Sequence, residues 1–192
     1  RALARAPFLV VSDCTRESDT LDHAHVRLPA LAWGEKSGTV TNSERVISRQ
    51  RTFLPAPGEA RADWWIIAQV AHRLGWGEHF AWSGPAAIFR EHATLSGLGN
   101  GGRRVFDISA LAALDAAGYD AMEPTRWPCP AGAPVASRGP RLFGDGGFPA
   151  GRRARLVPTP FRPPARAAGA ETPVVLLTGR LRDQWHSMTR TG

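Results

Sequence analysis

The chain has 192 residues, 43% of them hydrophobic, and a formal net charge of +7, which is enough apolar content for one domain or for parts of two. No apolar run approaches the roughly 18 to 20 residues that span a bilayer, and the opening RALARAPFLVVSDC lacks a small-residue cleavage site, so neither a membrane segment nor a signal peptide is read. Cys14 and Cys129 lie far apart in dissimilar surroundings, which argues against a disulfide framework or a cysteine metal cluster and for reduced thiols.

The charge is unevenly placed. Residues 1–123 carry 13 Lys+Arg against 14 Asp+Glu, and residues 124–192 carry 11 against 3. Only Lys36 among the cations is lysine, so an arginine-biased composition explains the high pI as well as a nucleic-acid surface would. With no initiating Met, and with Arg1 to Arg5 reading as the tail of a helix, the chain is expected to be a piece of a longer protein.

In chain order, PFLVVSD at 7–13 reads as a buried strand closed by Ser12 and Asp13, the end of a strand at which α/β sheets bind ligands. VRLPALAW is a second extended segment. GEKSGTVTNSERVISRQR follows with neither helical nor strand period and reads as an ordered polar loop, rich in groups that could donate to phosphate or to a heterocycle edge. DWWIIAQVAHRLG predicts a helix with Asp63 as N-cap, Gly75 as its stop, and Trp64, Ile67, Ala71 and Leu74 on one face. Further helices are expected at about 85–95 and 107–117. Of the 16 prolines, 11 lie between Pro124 and Pro173, placing a long irregular connection there. A new strand, TPVVLLTG, then opens.

GLGNGG at 97–102 fits G-x-G-x-x-G, but a helix precedes it and no helix follows, so it reads as a loop rather than a phosphate cradle. His23, His25, His72, His79 and His92 complete no recognisable metal-ligand pattern and read as surface or capping residues. Trp64 and Trp65 belong to an amphipathic helix, whereas Trp33 and Trp185 each adjoin a polar, glycine-containing loop. In the closing phrase LLTGRLRDQWHSMTRTG a strand ends in Thr178-Gly179-Arg180, where backbone N–H groups and a guanidinium could approach an anion.

Four motifs in this order, VVSD, LPALAWGEKSGTVTNSER, PGEARADWWIIAQVAHRLG and TGRLRDQWHSMTRTG, resemble the bis-molybdopterin-guanine-dinucleotide oxidoreductases of the dimethyl sulfoxide reductase superfamily, and most closely their assimilatory nitrate reductase branch. The resemblance covers nearly the whole chain and is weakest across 124–170. It implies an α/β fold: 1–123 as the C-terminal part of a dinucleotide-binding α/β domain, 124–170 as a Pro/Arg-rich linker, and 171–192 as the start of a C-terminal β-barrel domain. It also implies a cytoplasmic enzyme reducing nitrate to nitrite by oxygen-atom transfer, served by an electron-donor protein or domain, with no nucleic-acid or membrane partner.

The implied cofactors are molybdenum bis(molybdopterin guanine dinucleotide) and, upstream of this segment, a [4Fe-4S] cluster, so the segment alone is expected to be inactive. Residue by residue, Ser12 and Asp13 match contacts to the guanosine portion, Asp63 matches a second acidic position, and Lys36 matches a cofactor-contacting lysine. Thr178, Gly179, Arg180, Leu181, Arg182, Asp183, Gln184, Trp185, His186 and Ser187 match a loop that wraps the dinucleotide. No catalytic or metal-ligating residue falls within the segment. The chain departs from the family at His25, Arg27 and Val46, and an arginine in a buried strand is costly unless paired. The alternatives are a formate dehydrogenase or periplasmic nitrate reductase, which share these motifs, or, from another class, a basic nucleic-acid-binding module using the Arg-rich 138–166 region.

Overall fold

The computed structural model describes residues 2–135, 141–144, 156–163 and 168–176. The chain divides into two units, Arg1–Arg153 and Ala154–Gly192. The first is a mixed α/β unit with two small sheets.

β1 (Val10–Asp13) and β2 (Val26–Pro29) pair in parallel, with Val10 opposite Val26 and Asp13 opposite Pro29. A parallel pair needs a crossover, here residues 14–25 with a 3₁₀ turn at Leu21–His23 whose Leu21 is buried. An isolated parallel bridge from Ala30 to Arg61 extends the ladder. β1 is not the buried strand its sequence predicts: no residue of it is buried, and Val10 is exposed. A two-stranded ladder has little to cover its faces, whereas parallel sheets are normally covered on both. The same exposure accommodates the two unusual residues nearby. Arg27 is exposed and lies 3.9 Å from Asp22, and His25 Nδ1 accepts the Leu9 N–H at 3.0 Å.

The segment read as a polar loop instead folds into a hairpin. β3 (Gly38–Thr41) pairs antiparallel with β4 (Val46–Gln50), and β4 with the short β5 (Thr125–Arg126). Asn42 makes the turn: its Oδ1 accepts the N–H groups of Glu44 at 2.9 Å and Val46 at 3.0 Å, the local bonding that favours Asn in turns.

α1 (Asp63–Arg73) forms as its periodicity predicts, but Ala62 is the N-cap, extended at ψ 142°, and Asp63 is the first helical residue, without a side-chain cap. An acid in that first turn still complements the helix dipole. At the other end Gly75, at φ +85°, closes a Schellman motif in which Trp76 N–H donates to Ala71 O at 2.9 Å and Gly75 N–H to His72 O at 3.1 Å. The inward residues are Trp64, Ala68 and Ala71, spaced i, i+4, i+7, while Ile67 and Leu74 are exposed. With Val70, Trp76 and Phe80 these two line an apolar groove, which offers no polar group for chemistry.

The core lies between β4, α2 (Pro85–Gly97), a 3₁₀ turn at Ser109–Ala113 and α3 (Ala116–Asp120), and is built from Ile47, Phe89, Ala93, Ile108, Leu111, Tyr119, Met122 and Cys129. The helix expected at 107–117 is therefore two short pieces. Leu114 is extended, and Asp115 restarts the helix by accepting the Gly118 N–H at 2.7 Å. The connection expected from residue 124 begins as part of this core: Thr125 is buried in β5, and Cys129 N–H donates to Asp107 O at 2.8 Å. Burial pushes the Cys129 thiol up to about 11, with the Asp107 charge adding to it.

GLGNGG is a turn leaving α2, with Gly99, Gly101 and Gly102 at positive φ. Its Asn100 donates to Asp107 Oδ2 at 2.8 Å and accepts the Arg104 N–H at 2.7 Å. Its polar atoms are thus committed to holding the core turn.

In the second unit the described residues form no regular element. Of the strand expected over 172–179, residues 172–176 are described and unpaired, with Val174 and Leu176 exposed; Gly169 and Thr172 exchange backbone bonds at 3.1 Å. A strand needs a neighbour to pair with, and none of the described residues supplies one.

Candidate cofactor-binding edge

Parallel strands align their carboxyl ends, so whatever follows β1, β2 and the bridged residue Arg61 gathers on one edge. The backbone shows this directly: Ala30 N–H donates to Asp13 O at 3.0 Å, Leu31 N–H to Arg61 O at 3.0 Å, and Arg61 N–H to Pro29 O at 3.1 Å. β1 thus delivers Ser12 and Asp13 to this edge. β2 leads through Ala30 into the turn bearing Lys36, and the Ala30–Arg61 bridge leads into Asp63. This is the edge where open α/β sheets hold nucleotides.

Asp13 is organised by a residue that the sequence reading missed. Thr15 donates to Asp13 Oδ1 from both its N–H and its hydroxyl, each at 2.9 Å. The backbone N–H and then the hydroxyl of Thr15 hold the Asp13 carboxyl below the usual carboxylate range. It is therefore an anion at neutral pH, an acceptor only. The D-x-T spacing, typical of a short polar side chain bonding two residues on, is the signal that could have found Thr15.

Lys36 and Asp63 meet. Their Nζ and Oδ2 lie 2.9 Å apart, with side chains 33% and 54% exposed. A pair this accessible to water contributes about 0 to 1 kcal/mol. Either partner can exchange its mate for a ligand at small cost.

Lys36 directly follows a 3₁₀ turn, Trp33–Glu35, whose Glu35 carboxylate accepts the Ala32 N–H at 2.8 Å. Gly34 lies under the side-chain ends of Phe53 and Leu54. A Cβ there would fall 2.8 Å from Phe53 and 2.9 Å from Leu54, whose N–H groups both donate to Gly34 O. Trp33 is largely exposed beside Lys36.

Four of the residues matched by the resemblance, Ser12, Asp13, Lys36 and Asp63, therefore lie at this edge. The remaining ones, Thr178 through Ser187, lie outside the described residues. Among the described residues no three His, Cys, Asp or Glu side chains cluster as metal ligands, and no helix is long and apolar enough to cross a membrane.

A family model described as molybdopterin oxidoreductase matches residues 1–73, the stretch that carries all four of these residues. A nitrate reductase of Klebsiella oxytoca is 53% identical over 191 residues, 100% of this chain and 21% of that protein. Residues 1–73 thus match the molybdopterin oxidoreductase family, and the whole chain aligns with a section of this nitrate reductase. A nitrate reductase of Shewanella frigidimarina is 44% identical, again over 100% of the chain and 21% of the relative. An F420-dependent formate dehydrogenase 2 subunit alpha of Methanococcus maripaludis is 31% identical over 100% of the chain and 26% of its own length. The chain thus spans about a fifth to a quarter of the length of the curated relatives it matches.

The family matched by residues 1–73 implies a molybdopterin cofactor, and the charged groups of this edge are chemically compatible with one. The edge presents an ammonium, Lys36, able to pair with an anionic oxygen, and a carboxylate, Asp13, able to accept from N–H donors.

Proposed function

We propose that this chain is the cofactor-holding section of a molybdenum-dependent nitrate reductase that reduces nitrate to nitrite, taking electrons from a donor protein or domain. The observation that carries the reading is the 53% identity to a nitrate reductase along the full length of the chain, against 31% for the formate dehydrogenase subunit. When bound, a molybdenum bis(molybdopterin guanine dinucleotide) supplies the two-electron oxygen-atom transfer, and a [4Fe-4S] cluster elsewhere in the complete protein supplies the electrons.

The chain's own work is to bind and orient. Asp13 accepts from the guanine edge through Oδ2, its Oδ1 being held by Thr15, with Ser12 beside it at the end of β1. Lys36 leaves Asp63 for a phosphate or pterin oxygen, and Asp63 is then free to accept a donor of the guanosine portion. The exchange is inexpensive because the pair it breaks is solvated.

The second reading is a formate dehydrogenase, favoured by the formate dehydrogenase subunits at 30 to 31% identity over nearly the same span. The test uses the complete protein. Nitrate-dependent oxidation of a reduced dye, with molybdenum bound, supports the proposal; formate-dependent dye reduction without nitrate turnover supports the second reading.

A further inference from the structure

We infer that Arg49 is a positioning residue for Lys36, an inference that rests on reading Lys36 as a cofactor contact. Lys36 lies in the middle of residues 33–38, between β2 and β3, and this stretch is gripped on both sides by β4 and the residues that follow it. On the near side Gln50 Nε2 donates to Trp33 O at 2.7 Å, and the Phe53 and Leu54 N–H groups donate to Gly34 O at 2.9 and 3.0 Å. On the far side the Arg49 guanidinium donates to Gly38 O and, at 3.2 Å, to Ser37 Oγ. Ser37 is the residue next to Lys36.

The guanidinium is itself buried and bonded to α3. Its side chain is 3% exposed, it lies 4.0 Å over the Tyr119 ring, and it donates to Tyr119 Oη at 3.2 Å and Asp120 Oδ1 at 3.0 Å. One planar fork therefore ties the backbone beside Lys36 to α3 in the core. Ion pairing alone does not call for an arginine here, because the Asp120 side chain is 76% exposed and a pair with one solvated partner contributes little stability. What the fork adds is a fixed starting point for a lysine side chain that would otherwise spend binding free energy on becoming ordered.

The experiment measures how fast the complete protein loses molybdenum on dilution, in Lys36→Ala, Arg49→Met and the double variant, with melting temperature recorded alongside. Losing one charge-assisted contact should speed loss about tenfold in Lys36→Ala. Arg49→Met should speed it by up to the same factor, and the double variant should lose metal no faster than Lys36→Ala alone. If the effects instead multiply, toward about a hundredfold, or if Arg49→Met loses metal at the native rate while Lys36→Ala does not, the positioning role is overturned and the Lys36 assignment stands. A native rate in Lys36→Ala overturns both. Where Arg49→Met does not accumulate as folded protein, Ser37→Ala carries the same cycle. It removes one hydroxyl from the clamp, should raise the rate about threefold at unchanged melting temperature, and should lose that effect in the Lys36→Ala background; an effect that persists there overturns the inference.

Discussion

Replacing Asp107 by Asn keeps the shape of the side chain and exposes how fully the turn after α2 is committed to an anion. Asp107 is 9% exposed. Its Oδ1 accepts the Ser109 N–H at 2.9 Å and the Ser109 hydroxyl at 2.6 Å, and its Oδ2 accepts Asn100 Nδ2 at 2.8 Å. The new amide can turn its NH₂ either way, and both ways fail. Facing Asn100 it sets donor against donor, and Asn100 cannot flip without surrendering the Arg104 N–H that its Oδ1 accepts at 2.7 Å. Facing Ser109 it meets a backbone N–H, and the Ser109 hydroxyl oxygen is already accepting from Ala131 N–H at 2.9 Å. One charge-assisted bond is lost and one buried donor is stranded, a cost of roughly 3 kcal/mol. The assay is hydrogen exchange by mass spectrometry on peptides covering 96–110, where opening should become about a hundredfold more frequent at neutral pH. Native protection in Asp107→Asn would refute the reasoning. The pH sign is also fixed. Burial pushes the Asp107 carboxyl up, but the Ser109 donors, Asn100 and the Arg104 charge outweigh it and hold the carboxyl below its usual value. A depressed pKa contributes stability that is present above the unfolded value, near 3.9, and lost as pH falls through the folded one. Protection attributable to this residue should therefore be flat from pH 7 down to pH 5 and decline only below about pH 4.

The other expectations are simpler to state. Lys36→Ala should change the stability of the complete protein by less than about 1 kcal/mol, because the bridge to Asp63 is solvated; a larger loss in a urea titration would mean the pair is structural. Gly97→Ala should destabilise by about 1 to 3 kcal/mol, since its Cβ would fall 2.6 Å from that of Ser109, whose hydroxyl is fixed on Asp107; a neutral effect on the same exchange peptides would contradict this. Asp13→Ala should lower molybdenum content while leaving the far-ultraviolet circular dichroism of the complete protein unchanged, and normal molybdenum would count against the guanine contact. Iodoacetamide at pH 8 should label Cys14, which is exposed, well before Cys129, which is buried with its thiol pushed up to about 11; equal labelling would show that the 129 segment does not pack as described.

How much of this was legible in the sequence depended on how local each determinant was. α1 and its glycine stop were readable because periodicity and a left-handed C-terminal residue are local signals, and Ser12 and Asp13 were placed correctly at a strand end for the same reason. The hairpin of β3 and β4 was not. Its strands are polar and charged, and the partners that let Arg49 be buried, Tyr119 and Asp120, lie some 70 residues away. A similar distance hid the packing of Thr125 onto β4, and Cys129 bonds Asp107 across 22 residues, where a run of prolines pointed to an external connection. Asn100 and Asp107 looked like a glycine-rich loop and a helix start because neither residue type announces a buried pair. Conversely, the exposure of β1 reflects what lies against a strand, which its own apolar letters cannot convey.

The most direct measurement is made on the complete protein carrying this segment: molybdenum per polypeptide together with nitrite formed from nitrate under a reduced dye. The proposal predicts about one molybdenum per polypeptide and nitrate turnover that falls in proportion to metal content across Asp13→Ala and Lys36→Ala. A protein that holds molybdenum, oxidises formate and leaves nitrate untouched would contradict it.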